Sequence, residues 1–215
     1  MTFEKIYQYT FLGLCGLWIP FPKLGSLLIA LFGVVVVIGA FQKKLEFKFN
    51  GIFLGFSLLY ALYALYIFNN TTAVNEGPYL EYKLSMVVFP LLLSLRPQQK
   101  IDRSVVMTGV VSGAFLLGLL YIVRAVIQYL LTNDAQVFHS SWFAYNHHPS
   151  YAAVFFSFSI FYLLQTFSER PRTQRWLTIG LIIFFTLLHI PLESMAGLLF
   201  FLLVYVFFFS QSLLQ

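Results

Sequence analysis

Eight runs of apolar residues separated by short polar links leave this chain few ways to fold. They fall at about 11–21, 24–41, 51–68, 84–95, 105–131, 151–166, 176–190 and 192–210. A helix of about 17–25 apolar residues crosses the roughly 30 Å hydrocarbon core of a bilayer, and most of these runs reach or approach that length. In lipid every backbone donor and acceptor must be satisfied within a helix or around a closed barrel. A barrel needs alternating polar and apolar positions, and runs such as Val34 to Val37 or Phe207 to Phe209 do not alternate. The expectation is an all-α, polytopic transmembrane bundle of about eight spans, forming a single transmembrane domain over residues 1–215. Composition agrees: 60% hydrophobic residues, 10% charged ones and a mean hydropathy of +0.82 exceed what a soluble domain carries.

The polar links carry the orientation. Lys43, Lys44 and Lys48 lie in one link, Arg96, Lys100 and Arg103 in another, and Arg170, Arg172 and Arg175 in a third, whereas the link at 69–83 is net acidic through Glu76 and Glu81 and turns at Gly77-Pro78. Basic links alternate with neutral or acidic ones, which by the positive-inside rule puts the basic links and both termini in the cytoplasm. All of the 13 Lys and Arg except Lys23, Lys83 and Arg124 then lie inside, and the four histidines lie outside. Topology thus accounts for the net charge of +5, and no nucleic-acid partner is implied. Glu4 and Lys5 ahead of the first run resemble the start of a secretory signal, but no small-residue cleavage site follows, so the segment is expected to remain as the first helix. Pro20 and Pro22 end it. The fourth run reaches spanning length only if its helix begins near Tyr79.

The link at 138–151, FHSSWFAYNHHPSY, differs from the others: it gathers His139, His147 and His148 with Trp142, Tyr145, Asn146 and Tyr151. Three imidazoles so close invite a metal reading, yet there is a single cluster, no second histidine box and no sulfur ligand beside it, so no metal is expected. The alternative is an interfacial aromatic belt. Cys15 sits alone in an apolar run, which excludes an internal disulfide and is read as core packing. Arg124 lies about seven residues, or roughly 10 Å, below the outer end of its run. An arginine there either snorkels to the headgroups or lies in a cavity where its planar fork grips a phosphate or diphosphate. Arg124, Gln128 and Leu131 share one stripe, which leads to the histidine link. Arg124 and the pair His147 and His148 are therefore expected to face one outward-opening cavity. Glu193, at the start of the eighth run, is read either as a carboxylate favoured by the helix dipole or as a general base facing that cavity with His148. No phosphate-binding glycine loop or Ser-His-Asp order is present.

Three segments resemble a known family in their order along the chain: E-Y-K-L-S running into a short proline-containing helix (Glu81 to Pro90), H-H-P-S-Y-A (His147 to Ala152) and L-E-S-M-A-G-L (Leu192 to Leu198). In these the chain resembles the bacterial O-antigen ligase and O-antigen polymerase superfamily, polytopic glycosyltransferases of the inner membrane. The resemblance implies transfer of glycan from a polyprenyl-diphosphate-linked donor at the periplasmic face to a lipid or glycan acceptor, with no cofactor and no metal. Family members commonly have an arginine where this chain has Met195, and they are usually longer, with a large periplasmic loop carrying an essential histidine. The chain thus looks like the N-terminal part of such an enzyme or a shortened relative.

Carried onto this sequence, the resemblance gives Arg124, helped by Lys83, the diphosphate, and gives His148 or His147 contact with acceptor or diphosphate. Glu193 is the candidate base, Ser194 joins the substrate-binding set, and Trp142, Tyr145 and Tyr151 stack on sugar rings. Phe155 and Phe156 offer apolar surface to the polyprenyl tail. Transfer with a diphosphate leaving group needs charge stabilisation, which a fixed arginine supplies without a metal. The rival expectation is a non-catalytic membrane subunit or scaffold in envelope-polysaccharide assembly, in which these residues are interfacial anchors. A transporter ranks third, because few polar residues fall within the runs to line a path.

Overall fold

The computed structural model describes residues 2–49, 51–69, 83–97, 102–145 and 147–213. The helices among them are α1 (Phe3–Trp18), α2 (Gly25–Phe41), α3 (Gly51–Asn69), α4 (Ser85–Ser94), α5 (Arg103–Thr132), α6 (Ser140–Phe143), α7 (Pro149–Gln165), α8 (Arg172–Leu192) and α9 (Met195–Leu213). Short 3-10 turns cover Pro22–Leu24 and Ala135–Phe138. An antiparallel two-stranded ribbon pairs β1 (Leu45–Phe47) with β2 (Leu95–Pro97). Each of the eight expected runs contains a helix, so the all-α class stands, with the ribbon as an addition.

Among the described residues, three stretches are long and apolar enough to cross a membrane: Pro22–Phe41, Ser104–Thr132 and Arg172–Leu192. Gly51–Ile67, Pro149–Gln165 and Met195–Ser210 are shorter apolar helices. Helix α4 has 10 residues, which at 1.5 Å per residue is about 15 Å, half a hydrocarbon core. Tyr79, where a longer fourth helix was expected to begin, lies outside the described residues, as do Glu76, Gly77, Pro78, Glu81, Lys100 and Asn146. Outward-facing Val34, Val37, Leu199 and Leu203 are each more than half exposed, the apolar exterior that lipid contact requires.

Three boundaries differ from the sequence expectation, each for a local reason. Helix α1 begins eight residues before the apolar run, because Phe3 and Tyr7 supply buried positions four apart while Glu4 sits in the favourable first turn. Helix α8 begins at Arg172 rather than Trp176, since polar residues enter a helical first turn readily once Pro171 stands ahead of it. His189 and Pro191, expected in a connection, belong to α8, and the link to α9 shrinks to Glu193 and Ser194. Glu193 has a left-handed φ of 48°, which ends α8 where Gly or Asn is the usual residue. The Ser194 hydroxyl then caps α9, accepting from the Gly197 amide at 3.0 Å.

The chain divides into two compact units, Met1–Thr10 with Ile29–Ile101, and Phe11–Leu28 with Asp102–Gln215. In the first, Tyr7 is fully buried; its ring meets Phe32 edge-on at 5.0 Å and its hydroxyl donates to the Leu95 carbonyl at 3.1 Å. Lys43, with φ 53°, turns the chain from α2 into β1, which places Leu45 opposite Pro97 and Glu46 opposite Arg96.

In the second unit α5 is the organising element. The Asp102 carboxylate caps it by accepting from the Ser104 amide at 2.8 Å, and Asn133, with φ 53°, ends it. Met107, Val111, Ala114, Leu117, Tyr121 and Ala125 recur every three or four residues and form its buried stripe. Gly109 and Gly113, a G-x-x-x-G pair, face α1: a Cβ on Gly109 would lie 2.9 Å from the Leu12 carbonyl oxygen, and one on Gly113 would collide with that of Gly16. Helix α7 starts at the rigid His148-Pro149 step and buries Ala152, Ala153, Phe156 and Ile160. Both α8 and α9 pack on α7, and they have few contacts with one another. They leave an open groove between them.

Candidate functional site

Among the described residues of the second unit, two polar clusters involve the histidine link. The first closes the groove between α8 and α9, a cavity of about 500 Å³ with apolar walls that include Leu187, Ile190, Met195, Leu198 and Phe201. Its polar lining includes His189, Glu193 and Ser194. A Glu193 carboxylate oxygen lies 2.6 Å from Nδ1 of His139, which joins the 138–151 link to the α8–α9 corner. The Ser194 hydroxyl, besides capping α9, lies 2.9 Å from that of Ser150 at the start of α7. Within α8, Nδ1 of His189 lies 2.8 Å from the Phe185 carbonyl, which can only accept. The buried Ser157 hydroxyl lies 2.9 Å from Nε2, and with the ring proton on Nδ1 it is the donor.

The second cluster lies where the histidine link crosses α5. Arg124 donates from Nη1 to the Trp142 carbonyl at 2.9 Å, and its guanidinium carbon is 3.7 Å from the centre of the Tyr145 ring, a close cation–π stack. Tyr145 in turn lines a cavity of about 570 Å³ whose other walls are Phe21, Pro22, Lys23 and Leu24. One aromatic ring thus touches an arginine and shares a cavity with a lysine. Nearby, the Tyr121 hydroxyl lies 3.0 Å from Nδ1 of His147. Partial burial pushes the His147 imidazole below the ordinary histidine range, and a hydrogen bond with the Ile19 backbone opposes that in part.

These placements bring some of the expected residues together and separate others. Arg124, Trp142 and Tyr145 form one cluster and Glu193 and Ser194 the other. His147 and His148 line neither cavity: His147 is turned toward Tyr121, and His148 caps α7 by accepting from the Ser150 amide at 3.3 Å. The partner of Glu193 is His139 rather than His148, because Pro149 and the capping bond hold the His148 ring at the head of α7. Tyr151 is exposed beside His148, with ring centres 5.9 Å apart. Phe156 offers no surface to a lipid tail, being fully buried and stacked on Phe185 at 5.7 Å. Lys83 is exposed and belongs to the first unit. Among the described residues, no three His, Cys, Asp or Glu side chains converge where a metal ion would sit.

Three residues absent from the expected set enter the site: Lys23, His139 and His189. Lys23 left a signal, since it and Arg124 were both exceptions to the positive-inside pattern. His139 is 54 residues from Glu193 in sequence, so nothing local announces the pair. Comparison with family models, with curated proteins and with solved structures finds no match to this chain.

Proposed function

We propose that this is a multi-pass protein of the bacterial inner membrane, with about eight spans and both termini cytoplasmic. It acts in surface-polysaccharide assembly as a glycosyltransferase resembling the O-antigen ligases and polymerases. Its donor is a glycan on a polyprenyl diphosphate at the periplasmic face, and its acceptor is a lipid or another glycan. The observation that carries this reading is that Tyr145 stacks on Arg124 and also lines one cavity with Lys23. Arg124 and Lys23 both belong to the small set of basic residues that charge bias assigns to the outer side, and a lysine-lined cavity with an arginine stacked on its aromatic wall suits a phosphate-bearing headgroup. The 21–24 turn and the histidine link, both assigned outside, border the same cavity, which supports the orientation. The α8–α9 groove, apolar along its length with a polar corner, suits an isoprenoid tail.

One observation favours the scaffold reading: Arg124 already holds the link through the Trp142 carbonyl and the Tyr145 ring. Binding of a polyprenyl-diphosphate analogue in nanodiscs separates the two. A charge-assisted contact contributes about 1.5–3 kcal/mol, so Lys23→Gln, which leaves the link alone, is expected to weaken binding roughly tenfold or more. Arg124→Lys should retain part of the affinity without the bidentate fit, and Arg124→Leu should lose it. Equal affinity across wild type and all three variants removes the phosphate site and leaves the scaffold.

A further inference from the structure

His139, which has a close polar contact with Glu193, has no role in the reading above. Its Nδ1 stands 2.6 Å from a Glu193 carboxylate oxygen. An ionised carboxylate only accepts, so Nδ1 carries a proton, and whenever the ring is neutral the unprotonated nitrogen is Nε2, on its far side. This is the arrangement by which a carboxylate orients an imidazole as a base and stabilises the cation that forms when it takes up a proton. Both side chains are about half exposed, at 59% and 50%, so Nε2 is within reach of a ligand. Glu193 and Ser194 line the α8–α9 groove, and the Ser150 hydroxyl stands at the same corner.

The backbone gives a second, independent observation. Among the described residues four non-glycine residues have positive φ, and two of them are Glu193 itself, at 48°, and Ser140, at 47°, directly after His139. Left-handed geometry in a residue with a side chain is unfavourable, and such residues persist where the surroundings hold them, often at functional sites. Here the two left-handed residues set the directions from which the imidazole and the carboxylate meet.

We propose that His139 and Glu193 form a general-base dyad that activates a hydroxyl-bearing acceptor at the mouth of the α8–α9 groove. This rests on the glycosyl-transfer reading. The acceptor O–H bond breaks, its proton passes to Nε2 of His139, and the oxygen electron pair forms the bond to the anomeric carbon of the donor. The bond from that carbon to the diphosphate breaks, and the diphosphate leaves with the electron pair as an anion. The imidazolium, held against Glu193, then gives its proton to water.

The other charged and titratable groups on neighbouring elements have partners of their own. Arg124 of α5 is held at Trp142 and Tyr145, Asp134 caps the 135–138 turn, His147 meets Tyr121, His148 caps α7 and His189 is bound to Ser157. Glu193 is the group that touches His139.

The test has two parts, both on the full chain in nanodiscs. First, the rate of acylation of His139 by diethylpyrocarbonate is followed by mass spectrometry at one fixed pH. Glu193→Gln is expected to slow it several-fold, because a carboxylate that accepts from Nδ1 makes the far nitrogen a better nucleophile. An unchanged rate overturns the dyad. Second, transfer from a synthetic polyprenyl-diphosphate monosaccharide to an alkyl glycoside is measured alongside donor binding. His139→Gln should lower transfer about 10²-fold or more with donor binding intact, and Glu193→Gln should lower it in the wild-type background but not further in the His139→Gln variant. A structural clasp alone would change thermal stability and leave transfer by the folded protein in place. If wild type binds donor but transfers nothing, or if His139→Gln transfers at the wild-type rate, the base assignment is overturned. If wild type binds no donor, the preceding reading fails, and the acylation rate still decides whether Glu193 backs His139.

Discussion

Tyr121 and His147 form a pair whose energetics can be separated cleanly. Tyr121 is buried on α5 and its hydroxyl meets Nδ1 of His147, a residue placed outside the spanning segments. Tyr121→Phe removes the donor and leaves a half-buried ring nitrogen unsatisfied, a change that costs about 1–3 kcal/mol. The expected result is a lower midpoint in thermal unfolding in detergent, with no loss in a variant that already carries His147→Gln. The same histidine predicts a pH dependence. Burial holds its folded pKa below the ordinary 6.5, so as pH falls through that value the unfolded chain takes up a proton that the folded one does not. Its contribution is fully present above about pH 6.5 and is lost as pH falls toward the folded value. Wild type should therefore lose more stability between pH 7 and pH 5.5 than His147→Gln does; equal losses would mean that His147 titrates normally.

Helix contacts depend on glycines in unequal ways. Gly113 faces the Gly16 carbonyl, and the added methyl of Gly113→Ala would meet backbone that cannot rotate aside. Overpacking of this kind costs about 1–3 kcal/mol. Gly13, on the same α1 helix, has open space where its Cβ would be, so Gly13→Ala should be neutral or stabilise by up to about 1 kcal/mol. Thermal unfolding of the two single variants checks the pair; similar effects would mean that α1 and α5 do not approach along this face. The ribbon belongs to the same scale. The stretch Leu45 to Phe49 alternates apolar and charged residues, a strand pattern, but three-residue strands need a partner, and theirs lies about fifty residues on at Leu95–Pro97. A scan that weighs apolar runs reads the same residues as a basic link.

Across the whole molecule, orientation is the property most open to test. In a Cys15→Ala background, a cysteine at Ser140 should react with an impermeant maleimide on intact cells, and one at Gln174 only after permeabilisation. Labelling of Gln174 from outside would reverse the proposed topology. Much of this level is legible from sequence, since the helical class and the run positions follow from a solvent that forbids unpaired backbone groups, and the sidedness expectation follows from where lysine and arginine fall. Helix ends were read less well: α1 and α8 extend into polar residues, because a first turn accepts charge that a hydropathy window rejects. Sequence order also brought out the histidine link and Arg124. What it could not supply is partnership. His139 meets Glu193 rather than His148 meeting it, Lys23 shares a cavity with the ring beneath Arg124, and Phe156 is buried in the core rather than facing a lipid tail. Apolar periodicity records which residues avoid water and lipid headgroups. Which side chains touch depends on how α7 packs against α8 and α9 and on two left-handed residues at the corners, and those are decided by contacts between segments far apart in the chain.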